Sequence, residues 1–242
     1  MDIERASHVW LRVVARAEGS PLSLEHVCLS CVESLPADAA GLSMITAGAG
    51  REPVCGVGLL ADRMEELQAT LGEGPSIDAG TGGGPVLVPD LTIPSPLERW
   101  PVFAPAAAEA GAGAIFALPL QVGPVRLGVL TVTMYRPGPL RPEQLADAST
   151  YADVALALIL DARGGIEDSR LSGKAIDGLA EKRMEVHQAT GMVSVQLGIG
   201  VDDALVSLRA YAYAHNRRLI DVARDVVDRR LRFAPDRDPD QA

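Results

Sequence analysis

Aromatic residues, cysteines and long apolar runs are scarce in this 242-residue chain. These shortages exclude an aromatic core, a disulfide framework and a transmembrane helix. Phe, Trp and Tyr make up only 4% of the residues, so the hydrophobic core must be built mainly from Ala, Val and Leu. The three cysteines cannot form a full set of disulfides, and no secretory signal precedes them. No apolar run approaches the ~20 residues that a transmembrane helix needs. We therefore expect a folded, cytoplasmic protein with no membrane segment.

The residues that could carry catalysis or bind metal are scattered. Cys28 and Cys31 have the Cys-x-x-Cys spacing of metal and redox sites, but no second pair or His cluster completes a zinc site, so we interpret them as small buried residues. The acidic pair Glu65-Glu66 is interpreted as an exposed helix face, and Asp202-Asp203 as a helix start. We predict no catalytic site, no metal site and no enzymatic activity.

Positive charge is also scarce, and it is unevenly distributed. The formal net charge is −10, from 22 Lys and Arg against 32 Asp and Glu, which alone argues against a nucleic-acid partner because such binding depends on cationic contacts to phosphates. Residues 174–233, however, hold 10 Lys and Arg against 8 Asp and Glu, whereas residues 1–173 hold 11 against 21. The last part is either a nucleic-acid-binding module or a set of ordinary solvated helix faces.

The first 163 residues mix helical and strand patterns. Amphipathic patterns predict helices over about residues 2–17, 22–35, 61–71, 100–110 and 142–162. Short apolar or alternating runs predict strands over 42–46, 54–59, 86–88, 114–120 and 125–135. The link at 121–124 predicts an antiparallel hairpin, and the glycine run 80–84 is interpreted as a flexible connection. This order predicts an α+β domain built on a mostly antiparallel sheet flanked by helices.

Motifs within residues 20–162 resemble GAF domains. The resemblance is carried by Gly72-Glu73-Gly74-Pro75-Ser76, Pro85-Val86-Leu87-Val88-Pro89-Asp90-Leu91, Arg99-Trp100-Pro101-Val102-Phe103, Ala117-Leu118-Pro119-Leu120 and Leu127-Gly128-Val129-Leu130. GAF domains bind small molecules such as cyclic nucleotides or tetrapyrroles, or simply dimerise, so the resemblance implies a sensor domain over residues 1–163. Its ligand and any cofactor are not identified by the sequence. We expect a ligand pocket between the sheet and residues 56–103, walled by Trp100 and Phe103.

Three helical patterns follow in close succession. They cover about residues 174–197, 202–216 and 219–231, and the glycines at 198 and 200 separate the first two. Each pattern has an apolar stripe that needs a partner, so we predict a three-helix bundle over 174–233. Residues 164–173 are predicted to be a linker, and residues 234–242 a polar, disordered tail.

This bundle resembles the ANTAR domain of bacterial transcription antitermination regulators. The resemblance is carried, in the family's order, by Ala189-Thr190-Gly191, Asp203-Ala204-Leu205-Val206-Ser207-Leu208-Arg209 and Leu219-Ile220-Asp221-Val222-Ala223. Thr190 stands where the family usually has lysine, and a threonine can donate a hydrogen bond but cannot neutralise a phosphate. The resemblance implies a dimer that binds a structured hairpin RNA and promotes transcription past a terminator.

Together the two resemblances imply a signal-responsive RNA-binding regulator of transcription antitermination. In it the GAF-like domain senses a small ligand or mediates dimerisation. The alternative is a regulatory or dimerisation protein that does not bind RNA and whose helical module contacts a protein partner. For the homodimer, Leu179, Val186, Val193 and Leu197 form a seam that could pack against its copy, or could instead be the inner face of the bundle.

The residues expected to contact RNA combine charge, aromatic rings and accessible backbone. Loop bases are recognised by stacking and hydrogen bonds, while phosphates need fixed positive charge. The predicted cations are Lys182, Arg183, Arg209, Arg217 and Arg218; the predicted stacking rings are Tyr211 and Tyr213; and the predicted open backbone is at Ala189, Thr190 and Gly191. Arg209 could instead pair with Asp225 or Asp228 across the bundle, and Tyr211 could belong to the core.

Overall fold

The structure is a computed structural model that describes residues 3–46, 50–82, 84–163, 173–215 and 217–234. The chain divides into two compact units, residues 1–176 and 177–242. The predicted linker, up to residue 172, and the predicted tail, from residue 235, lie outside the described residues.

The first unit is an α+β domain, as predicted. Its helices are α1 (Ile3–Arg16), α2 (Leu24–Ser34), α3 (Leu59–Leu71), α4 (Pro75–Gly82), α5 (Pro94–Arg99), α6 (Phe103–Glu109) and α7 (Pro142–Arg163). Its strands are β1 (Ala39–Thr46), β2 (Gly50–Val57), β3 (Val86–Val88), β4 (Ala114–Val122) and β5 (Val125–Met134). The strands form one sheet in the order β2-β1-β5-β4-β3, and every pairing is antiparallel. The predicted hairpin joins β4 to β5, where Val122 pairs with Val125.

The two faces of this sheet have different chemistry because successive side chains point to opposite sides of a strand. Leu130 and Val132 of β5 belong to the larger apolar cluster, which packs against α1, α2 and α7. Val129 and Thr131, which alternate with them, face α3 and α4 on the other side, where Thr131 bonds Glu65 of α3. The second face therefore mixes apolar packing with buried polar groups.

Helices α4 and α5 are absent from the predicted elements. The interpretation of the glycine run as a flexible connection is wrong for its first part, because α4 includes Gly80, Thr81 and Gly82. Pro75 starts this helix, a position where proline loses no hydrogen bond. Ala79 then packs against the sheet, and this tertiary contact outweighs the low helix propensity of the glycines.

The cysteines are free and mostly buried. Cys28 and Cys31 of α2 are both 0% exposed, which confirms their interpretation as small buried residues. The Sγ atoms of Cys28 and Cys55 lie 3.6 Å apart. The Cys55 contact and burial raise the pKa of Cys28 well above its usual range, and burial raises the pKa of Cys31 to about 12. Since the thiolate is the reactive form, both thiols on α2 are poor nucleophiles at neutral pH.

The second unit is the predicted three-helix bundle, formed by α8 (Gly173–Leu197), α9 (Val201–Ala214) and α10 (Leu219–Val227). Gly198 ends α8 in the left-handed conformation with a φ of 69°, and its amide donates to the carbonyl of Ser194. Eight fully buried side chains make the bundle core: Ala189, Val193, Ala204, Leu208, Ala212, Val222, Ala223 and Val226. Half of them are alanines, which let the helices approach closely.

Candidate nucleic-acid interface and sensor core

The Ala-Thr-Gly motif of α8 contributes mainly to packing. Ala189 is 0% exposed and Thr190 is 5% exposed. The Thr190 hydroxyl donates to the Val186 carbonyl at 2.7 Å, so it is already hydrogen-bonded within its own helix. Gly191 is exposed, and a Cβ built on it would meet nothing within 4 Å. Of the three predicted contact residues here, only Gly191 lies on the surface.

Three residues form an exposed row along α8. Lys182 and Arg183 lie on α8 by position, but their side chains are outside the described part of the chain. His187, Gly191 and Val195 follow Arg183 at intervals of four residues, and all three are exposed. Residues four apart are neighbours on a helix surface, so these three residues form one exposed face of α8.

Arg209 and Tyr213 lie one turn apart on α9. Tyr213 is 50% exposed, and Arg209 is half-buried. The Arg209 Nε atom is buried with no hydrogen-bond partner in the described part of the chain, and burial lowers the pKa of this guanidinium. The pair therefore places a cation with an unused donor beside an accessible aromatic ring.

Tyr211 lies within the bundle packing, as the alternative interpretation expected. Its ring stacks on His215 with the centroids 3.9 Å apart and meets Phe233 edge-on at 5.4 Å. Phe233 is held in turn by Gln196, whose Oε1 accepts from the Phe233 amide at 2.8 Å. The chain that follows α10 thus packs back onto α8 and α9.

The remaining predicted cations are engaged in ion pairs around α10. Arg217 donates to Asp225 at 2.6 Å, and Arg218 forms a two-pronged pair with Asp221 at 2.7 and 2.9 Å. Arg230, which the sequence did not indicate, also bonds Asp225 at 2.7 Å. Arg217 and Arg230 hold the pKa of Asp225 below its usual range.

The alternative in which Arg209 pairs with Asp225 or Asp228 is wrong. Arg217 and Arg230 take up Asp225, and Arg230 takes up Asp228 at 2.8 Å. The Arg217 amide also donates to the Ala212 carbonyl at 2.8 Å, in the turn that precedes α10. The Arg218 side chain stays 60% exposed despite its pair.

The proposed dimer seam on α8 lies on the inner face of the bundle where it is described. Val193 is fully buried, and Val186 and Leu197 pack against the same core. The alternative interpretation of the seam is therefore confirmed for these three residues. The side chain of Leu179 lies outside the described part of the chain.

In the first unit, the two residues expected to wall a pocket are core residues. Trp100 is 3% exposed and Phe103 is 0% exposed, and both pack in the cluster that includes Met64 of α3 and Leu91. Glu73 anchors this segment, since its Oε1 accepts from the amide of Phe103 at 2.7 Å. A ligand at these positions would have to displace packed side chains.

A buried polar cluster on the same face of the sheet escaped the sequence analysis. Glu65 is 4% exposed, so its interpretation as part of an exposed face is wrong. Thr131 of β5 donates to Glu65 at 2.6 Å, and the hydroxyls of Ser76 and Thr131 lie 2.8 Å apart. The side chain of Arg51, only 7% exposed, reaches the cluster from β2. The one signal in the sequence was the threonines that alternate with apolar residues along β5.

Comparisons with known proteins give a separate match for each of the two units. Residues 179–227 match the ANTAR domain. The fold of the first unit is similar to the GAF domain of a phosphoenolpyruvate-protein phosphotransferase from Coxiella burnetii, with 20% identity and a TM-score of 0.50 over 68% of this chain and 98% of that one. The corresponding GAF domain from Acinetobacter is 15% identical, with a TM-score of 0.50 over 69% and 98%. This chain combines a GAF fold with an ANTAR domain. Among curated proteins, none matches it.

The ANTAR match ends at Val227 and so leaves out residues 228–234, although Phe233 packs on Tyr211 inside the domain. Among the described residues of both domains, no group of three or more His, Cys, Asp or Glu side chains is placed to hold a metal ion. Within those same ranges no single helix is long and apolar enough to cross a membrane, and only the pair 185–197 and 201–214, bent by 103°, would qualify together by length and composition.

Proposed function

We propose that this chain is a signal-responsive, RNA-binding regulator of transcription antitermination. In this proposal the ANTAR domain binds a hairpin RNA, and the GAF-fold domain senses a small ligand or mediates dimerisation. The match to the ANTAR domain and the GAF-like solved structures support the combination of an effector with a sensory domain.

The observation that carries the RNA-binding part is the pair of Arg209 and Tyr213 on α9. Unpaired bases are recognised by stacking on aromatic or guanidinium planes, and both kinds of side chain stand here one turn apart. Tyr213 is half-exposed although the rest of α9 contributes three fully buried residues to the core, so its ring is not needed for packing. The exposed row of α8, formed by His187, Gly191 and Val195, would supply further backbone contacts.

Replacing Arg183 or Arg218 by alanine should weaken RNA binding without unfolding the domain. Arg183→Ala and Arg218→Ala are each expected to flatten the slope of log affinity against log salt by about 0.7–0.9, the change for one lost phosphate contact. Fluorescence anisotropy with a hairpin RNA whose loop is randomised measures this slope in the full chain. Arg63→Ala on α3, an exposed arginine of the other domain, is the matched control and should leave the slope unaltered.

Unaltered affinity in the double variant Arg183→Ala/Arg218→Ala would contradict this assignment. Loss of helix content in either single variant would mean that the arginine supports the fold instead. For Arg218 the second outcome is not expected, because an exposed ion pair such as Arg218–Asp221 contributes only about 0–1 kcal/mol.

Tyr213 tests stacking separately from charge. Tyr213→Ala is expected to weaken RNA binding by about 5- to 150-fold, which corresponds to the ~1–3 kcal/mol of one stacked base. Tyr213→Phe keeps the ring and should bind like the wild type. Equal losses in both variants would point to the hydroxyl group, and no loss in either would remove Tyr213 from the interface.

The alternative function keeps the same fold and replaces RNA by a protein partner. If the folded full chain shows no RNA affinity at low salt, or an affinity that does not depend on salt, the helical module is a protein-contact or dimerisation unit. The ion pairs of Arg217 and Arg218 favour this alternative in part, since they neutralise two of the predicted cations.

We also propose that the chain acts as a homodimer, and the surface that supports this lies on α1. Leu11 is 63% exposed and Val14 is 43% exposed, beside an apolar groove of about 370 Å³ that Trp10 of α1 and Val154 of α7 help to line. Leu11→Glu is expected to shift the chain from dimer to monomer in sedimentation velocity, because it places a charge in an apolar contact. Val125→Glu, at another exposed apolar residue, is the control. A wild-type monomer at tens of micromolar would contradict the proposal.

A further inference from the structure

The buried polar cluster of the GAF-fold domain contains hydrogen-bond donors that have no partner in the described part of the chain. It is built by Ser43 of β1, Arg51 of β2, Glu65 of α3, Ser76 of α4 and Thr131 of β5. Four of its five members are at most 4% exposed, and the side chain of the fifth, Arg51, is 7% exposed. Buried polar groups are normally all paired, so an unpaired buried donor needs an explanation.

The unpaired donors belong to Arg51. Its Nη2 atom donates to the Ser43 hydroxyl and lies 3.8 Å from Glu65 Oε2. Its Nε and Nη1 atoms are buried and have no hydrogen-bond partner in the described part of the chain. A guanidinium carries one N–H on Nε and two on each terminal nitrogen, so three donors are left unused. Burial lowers the pKa of Arg51 and Glu65 raises it, which fits a charged group held away from water.

No acceptor of the neighbouring groups in the described part of the chain reaches Nε or Nη1 of Arg51. Thr131 spends its only hydroxyl proton on Glu65, so Ser76 must donate to Thr131. The side-chain oxygen of Gln68 accepts from the Ser76 amide at 2.7 Å. The Ser43 hydroxyl accepts from Arg51 and keeps its own proton to donate. The group that would complete the cluster is therefore an oxygen acceptor.

Charge and size narrow the choice of acceptor. The charges of Arg51 and Glu65 already cancel. A bound monoanion therefore leaves the cluster with one net negative charge, whereas a dianion leaves it with two, at a higher desolvation cost. Space beside α4 is limited, because a Cβ built on Gly80 would lie only 3.3 Å from Ile45 Cδ1, with Arg51 Cδ at 3.7 Å. Apolar side chains border the cluster through the sheet pairing, where Ala117 lies opposite Thr131 and Val129 lies opposite Ser43.

We propose that this cluster binds a small carboxylate-bearing metabolite. A carboxylate oxygen of the ligand accepts hydrogen bonds from Nε and Nη1 of Arg51. The short apolar part of the ligand packs against Ala79, Ala117 and Val129. This assignment rests on the proposed sensor role of the domain and gives that role a ligand class. Charge-assisted hydrogen bonds to a buried guanidinium are the strong kind, so a single contact of this type can select a carboxylate over its neutral amide.

The test is a titration of the isotope-labelled full chain with acetate and with propionate at constant ionic strength, followed by backbone amide NMR. Saturable shifts are expected at the amides of Ser43, Arg51 and Thr131, with propionate binding more tightly than acetate because its extra carbon is buried. Acetamide, the neutral counterpart, should give no saturable shifts. Arg51→Lys, which keeps the charge beside Glu65 but removes the guanidinium, should weaken binding about tenfold or more. Arg63→Lys on α3 is the matched control and should bind as the wild type does.

Three outcomes would overturn the proposal. The first is no saturable shift at these amides with either carboxylate up to about 100 mM, a concentration well above the dissociation constant expected for so small a ligand. The second is equal binding to Arg51→Lys, and the third is tighter binding of inorganic phosphate than of propionate. If Arg51→Lys does not fold, Ser43→Ala provides the second variant, and it must also weaken binding. RNA binding is measured separately, so loss of carboxylate binding with intact RNA binding overturns only the ligand class.

Discussion

Replacing Glu65 by glutamine should destabilise the GAF-fold domain by about 3–5 kcal/mol, the range for a buried ion pair that loses one partner. Glutamine keeps the size of the side chain and an oxygen that can accept from Thr131, so the change isolates the charge. Arg51 would then be a buried cation with no carboxylate beside it. Chemical unfolding followed by tryptophan fluorescence measures the effect selectively, because both tryptophans, Trp10 and Trp100, lie in this domain.

The double variant Glu65→Gln/Arg51→Met separates an uncompensated charge from a packing defect. Replacing both members of a buried pair is often nearly neutral, so the double variant should recover most of the stability that Glu65→Gln alone loses. Glu98→Gln on α5, where the side chain is exposed, should change the unfolding free energy by no more than about 0.5 kcal/mol. A double variant as unstable as the single one would show that Arg51 itself supports the domain.

The overall fold could be predicted because its elements have strong periodicity. The alternation along β5 and the apolar stripes of α9 and α10 gave the right type of element, and the short link at residues 123–124 fixed the β4–β5 hairpin. Helix α4 was not predicted because its sequence is rich in glycine, and only its packing against the sheet makes it helical. Local propensity cannot reveal a contact between residues 79 and 117.

The candidate sites were less predictable because they depend on which side chains meet. The motif around Ala189 and Thr190 indicated the domain, but burial places these two residues inside the bundle. Glu65 follows the same helical pattern as an exposed acidic residue, and only the position of Thr131 across the sheet explains its burial. Glu65, the partner of Arg51, likewise lies on α3, and the sequence does not indicate which strand packs against that helix.

Leu208→Ala should unfold most of the ANTAR domain and abolish RNA binding. Leu208 is fully buried at the centre of the bundle core, and losing a buried leucine costs about 2.7–5 kcal/mol. A module of roughly 60 residues has only about 3–9 kcal/mol of stability in total. Four of the eight core residues are alanines, which have no side-chain freedom to fill the cavity. The loss should appear as reduced helical circular dichroism and as loss of RNA affinity in the same preparation.

Val206→Ala is the matched control for Leu208→Ala, because Val206 lies on the same helix but is 61% exposed. It removes apolar atoms of a similar kind without opening a cavity, so it should change stability by no more than about 0.5 kcal/mol. Tryptophan fluorescence should report an unchanged GAF-fold domain in both variants, since the ANTAR domain contains no tryptophan. If Leu208→Ala kept its helix content but lost RNA binding, the leucine would act at the interface. If it kept both, the apolar cluster around Leu208 would not be what holds α8, α9 and α10 together.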